Sequence, residues 1–131
     1  MEFFDVPGGP QKLGPYSAGV VGTPGKVPVY ISGQLAIKPG EKKVIDGTAS
    51  EQALLALQNL EAVLTVKGLQ RTDVAFVEVA LTSMSDFAAV GEVYGTFFAG
   101  HQPARKTVAY NELPGGGLVE IIAIAEMTPA E

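Results

Sequence analysis

The stretch "TASEQALLALQNLEAVLTVKG", Thr48 to Gly68, decides how this chain is organised. Thr48 and Glu51 form a capping box, in which a hydroxyl and a carboxylate each satisfy a free amide at a helix start. Ala53, Leu57, Leu60 and Leu64 recur at helical spacing and make one apolar stripe. Gly68 stands where the helix should stop, because glycine accepts the left-handed conformation of a helix end.

Outward from this helix, strands alternate with a second helix. "GKVPVYISGQLAI" predicts a strand from Val29 to Ile37, closed by "KPGEKK", a turn with Pro39 and Gly40. On the other side "DVAFVEVALT", Asp73 to Thr82, predicts a second strand. "SDFAAVGEVYGTFFAG" then reads as a helix with Phe87, Val90, Tyr94 and Phe97 inward and Gly100 at its end. Gly91 inside it costs about 1 kcal/mol against alanine. After Pro103 come a short strand, Arg105 to Tyr110, the loop "NELPGGG" and a last strand, "LVEIIAIAEM". The two strand–helix–strand units predict parallel pairs, and the final two strands an antiparallel hairpin. The fold class is α+β, one mixed sheet with two helices on one face, in a single domain over residues 1–131.

Period-two alternation separates two faces in each strand. Ala75, Val77, Val79 and Leu81 point one way; Val74, Phe76, Glu78 and Ala80 point the other. Ile121 and Ala123 oppose Glu120 and Ile122, and Ile31 opposes Tyr30, Ser32 and Gln34. The helices can cover only the wholly apolar face. The second face is too apolar for water and has no helix left to shield it, so other copies of the chain are expected to cover it.

Composition limits the function. The hydrophobic fraction of 47% against 18% charged makes the chain globular. Fourteen acidic against nine basic residues give −5 with no lysine or arginine cluster, which argues against a nucleic-acid partner. No apolar run reaches the roughly 18–20 residues that span a bilayer. The start "MEFFDVPGG" has neither the basic region nor the apolar core of a signal peptide. Cysteine is absent, which removes disulfides and thiolate chemistry and fits a cytoplasmic protein.

Arg105 and Glu120 are the candidate chemical pair, both assigned to the second face. Buried charge is costly unless it is paired or binds a ligand. A structural ion pair at a subunit interface and a carboxylate-binding arginine beside a proton-handling carboxylate both satisfy that demand, and spacing does not separate them. His101 is expected to be a structural loop residue. "LPGGGLVE" lacks the lysine and following helix of a phosphate loop and is expected to be a flexible hairpin loop. No His/Asp/Glu spacing suggests a metal.

"GPYSAG", "YISGQL", "SEQALLALQNLEAVL", "DFAAVGEVYGTFF", "PAR" and "LVEIIAIA" occur in the order seen in the reactive intermediate deaminases, and from Gly14 to Met127 the chain resembles that RidA/YjgF-like family. The resemblance implies a chorismate-mutase-like fold and a homotrimer with clefts between subunits. It also implies hydrolysis of 2-imino or enamine acids to 2-keto acids and ammonia without a cofactor. By position, Arg105 would clamp the substrate carboxylate and Glu120 would position or activate water. Tyr16 would close the pocket from a neighbouring subunit, Ser32 and Gly33 would line it, and the backbone near Thr107 would add hydrogen bonds. An iminium carbon is already electrophilic, so positioning and acid/base help can suffice. The rival readings are a non-catalytic trimer that binds small acids or acts like a chaperone, and, third, an endoribonuclease.

The chain departs from the family pattern in three places. Gly91 stands where an asparagine is common, Thr107 where many members have cysteine, and "YSAG" where Y-S-Q-A is usual. The missing amide implies a wider cleft or one substrate contact fewer, as in a subgroup that takes bulkier acids.

Overall fold

The capping box and the apolar stripe are both present in the computed structural model, which describes residues 1–130. The chain runs through β1 (Glu2–Phe4), β2 (Gly19–Val21), β3 (Val27–Gln34), α1 (Ala49–Val66), β4 (Val74–Leu81), α2 (Phe87–Phe98), β5 (Ala104–Ala109) and β6 (Val119–Met127). At the start of α1 the Thr48 hydroxyl accepts the Glu51 amide at 3.2 Å, and the Glu51 carboxylate accepts the Thr48 amide at 3.1 Å. Gly68 ends the helix with φ +68°, and the Leu69 amide reaches back to the Leu64 carbonyl. Ala53, Leu57, Leu60 and Leu64 are all buried against the sheet or α2. Each buried leucine contributes roughly 2 kcal/mol.

The main sheet has the order β3–β6–β4–β5. β4 and β5 pair in parallel, as the α2 crossover predicts. The other two expectations about pairing are corrected. β3 and β4 run in the same direction but do not touch, because β6 lies between them, antiparallel to both. β5 and β6 therefore form no hairpin. The physical reason lies in composition: Val119, Ile121, Ala123 and Ala125 are all sealed in the core, and so apolar a strand gains most from a central slot. The more polar β3 and β5 take the two edges.

Two irregularities move residues between faces. Val74 aligns with Ala125 and Phe76 with Ile124, so a bulge at Ala75 turns Val74 into the core instead of leaving it beside Phe76. Ile31 aligns with Ala123 but Gln34 with Ile121, so one extra residue at Ser32–Gly33 shifts Gln34 off the face of Tyr30. β3 stops there rather than at Ile37. The carbonyls of Leu35 and Ile37 are taken by the Asn59 amide of α1, at 2.9 and 2.8 Å, instead of a neighbouring strand.

Both helices cover the Val77–Val79–Ile121–Ala123 face. The other face carries exposed Tyr30 and Ile122 and has no helix over it. The small β1–β2 ribbon was not expected from the sequence. It closes on itself with Phe4 packed over Gly19, where any Cβ would collide with the ring. At the end of α2 the left-handed residue is Ala99 (φ 50°), with Gly100 following at φ 93°, so the predicted stop falls one residue late. "LPGGG" is one tight turn between non-adjacent strands, with Gly115 and Gly116 at positive φ, rather than a hairpin loop.

Candidate functional site

Arg105 lies in β5 beside Val77, and Thr107 beside Val79. Both neighbours belong to the helix-covered core, so Arg105 and Thr107 face the helices. Glu120 aligns with Ala80, and Ala80 with Val108, which is the uncovered face. The assignment of Arg105 and Glu120 to one face is therefore corrected. Two strand spacings of about 4.8 Å and three residues of about 3.3 Å put their Cα atoms about 14 Å apart, on opposite sides of the sheet. The cause is the edge position of β5. At an edge, a long arginine can lay its stem along apolar surface beneath α2 and still keep its head near solvent.

The Arg105 guanidinium is enclosed by rings. Its central carbon stands 5.1 Å from the Tyr16 ring centroid, 5.0 Å from Tyr94 and 6.0 Å from Phe87. This Tyr16 belongs to the same chain as Arg105. Its loop is tied down at Ser17, whose hydroxyl donates to the Gln102 carbonyl at 2.6 Å and whose amide donates to Pro103 at 3.3 Å. The same loop passes so close that a Cβ on Gly14 would run into the guanidinium, and Pro15 rests on the small Gly95 of α2. The Tyr16 hydroxyl accepts the Leu13 amide at 3.2 Å and fixes the ring. Burial lowers the Arg105 pKa, which the nearby Tyr94 and Tyr16 partly offset. It remains a cation with no hydrogen bond or ion pair to any of the described residues.

Beside it is a narrow crevice lined by Gly91, Tyr94, Arg105 and Thr107, among others. Gly91 leaves open space where a side chain would stand. Tyr94 is 1% exposed, and its hydroxyl is the one buried side-chain polar atom without a partner among the described residues. Burial pushes its pKa well up, against the smaller effect of Arg105, so it stays a phenol.

Glu120 belongs to a second cluster. Its carboxylate lies against Gly33 at the β3 bulge, where a Cβ would overlap it, and the exposed Ser32 adjoins. The carboxylate is half-buried and accepts no hydrogen bond from the described residues. The sequence-predicted residues thus fall into two groups: Arg105, Tyr16, Gly91 and Thr107 at the β5 edge, and Glu120, Gly33 and Ser32 toward the β3 edge. Gly14 and Tyr94 were missed. Tyr94 showed only as one more inward aromatic of the helix.

His101 is structural: its Nε2 lies 2.7 Å from the Val74 carbonyl and its ring meets the edge of Phe3. The largest cavity, between the C-terminal ends of α1 and α2, holds an arginine already committed. Arg71 pairs with Glu61, donates to the Phe97 carbonyl at 2.6 Å and stacks on the Phe97 ring. No three His, Asp or Glu side chains gather as a metal site among the described residues. No helix among them is long and apolar enough to cross a membrane.

An α+β sheet with a free guanidinium at one edge and a free carboxylate toward the other defines a small protein equipped to hold a polar anion. The chain matches the endoribonuclease L-PSP family over residues 8–127 and belongs to it, among the RidA-like proteins. It is 42% identical over 116 residues to protein DfrA of Myxococcus xanthus, covering 88% of each chain. It is 38% identical over 122 residues to the 2-iminobutanoate/2-iminopropanoate deaminase of Mus musculus, covering 92% of this chain and 87% of that one. The crystal structure of RidA from an Antarctic Psychrobacter species superposes with a TM-score of 0.73 at 33% identity, covering 97% of this chain and all of that one.

Proposed function

We propose that this protein is a hydrolytic deaminase of 2-imino and enamine acids, needs no cofactor, and works as a homotrimer with its sites between subunits. The observation that carries the reading is the Arg105 guanidinium, half-buried among aromatic rings and without a counter-ion among the described residues of its own chain. Such a group holds a carboxylate in bidentate fashion and rejects neutral analogues. Relatives named as 2-iminobutanoate/2-iminopropanoate deaminases point to the same substrate class.

The separation of the two clusters supports the assembly. Arg105 sits on edge strand β5, whereas Glu120 opens toward edge strand β3 on the other face. One chain cannot bring them together. A head-to-tail contact joins unlike edges and, when its rotation closes, makes a ring. Three copies would also cover the uncovered sheet face. In each cleft Arg105, Tyr16 and Thr107 of one copy hold the carboxylate. Glu120, Gly33 and Ser32 of the next copy stand at the imine carbon.

The reaction balances without an added group. Water adds to the iminium carbon and gives up a proton to the Glu120 carboxylate. The resulting carbinolamine takes that proton on nitrogen, the C–N bond breaks, and a second proton passes from the hydroxyl to the departing ammonia as the keto group forms. The products are a 2-keto acid and ammonium.

The test is ammonia release from imino acids generated in situ by an amino-acid oxidase, with light scattering to measure mass. Acceleration over buffer by a species of about three times the 13.6 kDa chain mass is expected. A monomer, or a rate equal to buffer, overturns the reading. Binding of a keto acid without ammonia release would instead support a non-catalytic small-acid binder. An endoribonuclease role is disfavoured by the charge of −5.

A further inference from the structure

We propose that Tyr94 is a second donor to the substrate carboxylate, its buried phenol completing the anion pocket that Arg105 opens. The inference rests on the reading of Arg105 as a carboxylate clamp, and it assigns a role to a residue that otherwise looks like core. Tyr94 packs at 4.8 Å on Phe98 and would be an ordinary inward aromatic but for its oxygen. A buried hydroxyl with no partner costs about as much as a lost hydrogen bond, so a core tyrosine without a role for its hydroxyl does better as phenylalanine. The Tyr94 ring also stands 5.0 Å from the Arg105 guanidinium, which has no partner among the described residues. Arginine has only donors to offer, so it cannot accept the phenol's proton, and no guanidinium N–H reaches the phenol oxygen in this structure.

What satisfies both is an acceptor, and an anion satisfies them best. The crevice that Tyr94 and Arg105 line, with Gly91 and Thr107 on its other walls, has about 10 Å³ of room. That is the space of one water-sized group, so it takes a single carboxylate oxygen and not the body of a substrate. The remainder of the acid stays in the cleft outside. Burial keeps the phenol protonated, so the donor persists across the working pH range. Gly91, one turn before Tyr94, contributes no side chain that could quench the hydroxyl.

Tyr94→Phe removes the oxygen and keeps the ring, so the core is preserved. Calorimetry with pyruvate as probe, pyruvamide as its neutral counterpart, and thermal melting of both proteins form the test. Pyruvate should bind about tenfold to a hundredfold more weakly to the variant, the effect expected for one hydrogen bond to a charged group. Pyruvamide should bind both proteins equally poorly. The variant should melt at the same temperature or higher, because an unpaired buried hydroxyl has gone. In turnover, KM should rise while kcat changes little. Equal pyruvate affinity in the two proteins, or a lower melting temperature with unchanged binding, overturns the proposal. Ammonia release separates this from the fate of the deaminase reading. Weakened pyruvate binding with no turnover in either protein leaves Tyr94 standing and removes the deaminase; full turnover with unchanged KM does the reverse.

Discussion

Arg105→Ala is the substitution on which the readings of this protein diverge most. If Arg105 were half of a buried ion pair within the chain, its loss would strand a carboxylate and cost about 3–5 kcal/mol. No such partner stands among the described residues: Glu120 lies on the other face of the sheet, and the guanidinium lies against aromatic rings and the Gly14 backbone. Its stabilising contacts are cation–ring attractions of about 0.5–1 kcal/mol each, set against the cost of holding a cation half out of water. The net loss of stability should therefore stay under about 2 kcal/mol, a fall of roughly 8 °C or less for a chain of this length. Catalysis should fare very differently. Two charge-assisted bonds to a carboxylate contribute about 1.5–3 kcal/mol each, so kcat/KM should fall roughly 10²- to 10⁴-fold. Arg105→Lys should recover little, because an ammonium cannot reproduce the planar fork. Thermal melting and the coupled ammonia assay on the two variants check both halves. Full turnover in Arg105→Ala would refute the clamp, and a collapse of the fold would revive the ion pair.

Other substitutions probe the surroundings. Gly33→Ala places a methyl where the Glu120 carboxylate lies; the carboxylate should swing away and kcat should drop at least tenfold with little change in melting, and an unaltered kcat would show that Glu120's position is immaterial. Gly91→Asn enters open space, so it should fold and gain about 0.3 kcal/mol of helix stability. It should shift preference toward the smallest imino acids, and identical relative rates across a substrate series would leave Gly91 a packing role alone. Ala99→Gly relieves a left-handed alanine at φ 50° and should raise stability by about 1 kcal/mol. A lower midpoint in urea would contradict that account.

What the sequence made plain follows the range of the interactions that fix it. Helix α1 was readable to the residue at its cap because Thr48, Glu51 and Gly68 act through neighbours three or four positions away. The strand order was not, because alternation tells which residues share a face and nothing about which strand lies alongside. β6 slipping between β3 and β4 is a long-range choice. Faces were read correctly wherever period two ran unbroken. They failed at Val74 and Gln34, where one inserted residue reverses the alternation. Arg105 failed for another reason. "ARKTVA" puts a charge on each face, Arg105 on one and Lys106 on the other, and its apolar residues do not choose between them. Only the pairing with Val77 decides. The residues named through the family likeness were well chosen as types; what likeness could not supply was their separation into two clusters.

That separation makes a prediction which no property of a single subunit can imitate. In the ring of three proposed above, each cleft would draw its arginine from one copy and its glutamate from the next. Arg105→Ala and Glu120→Ala subunits should each form inactive rings. Unfolded together in equal amounts and refolded, they should assemble at random. A cleft is then intact when a Glu120→Ala copy supplies the arginine and an Arg105→Ala copy supplies the glutamate, which holds for about one cleft in four of a randomly mixed ring. Activity should therefore return to about a quarter of the wild-type value at equal mixing, and should vanish as either variant comes to dominate. If Arg105 and Glu120 of one chain served the same cleft instead, every cleft would carry one lesion and no mixture would recover anything. That outcome is not expected, since the two Cα atoms stand about 14 Å apart and their side chains leave opposite faces of the sheet. Recovery would fix the site at the interface, and silence from a mixture shown by mass to contain mixed rings would remove it.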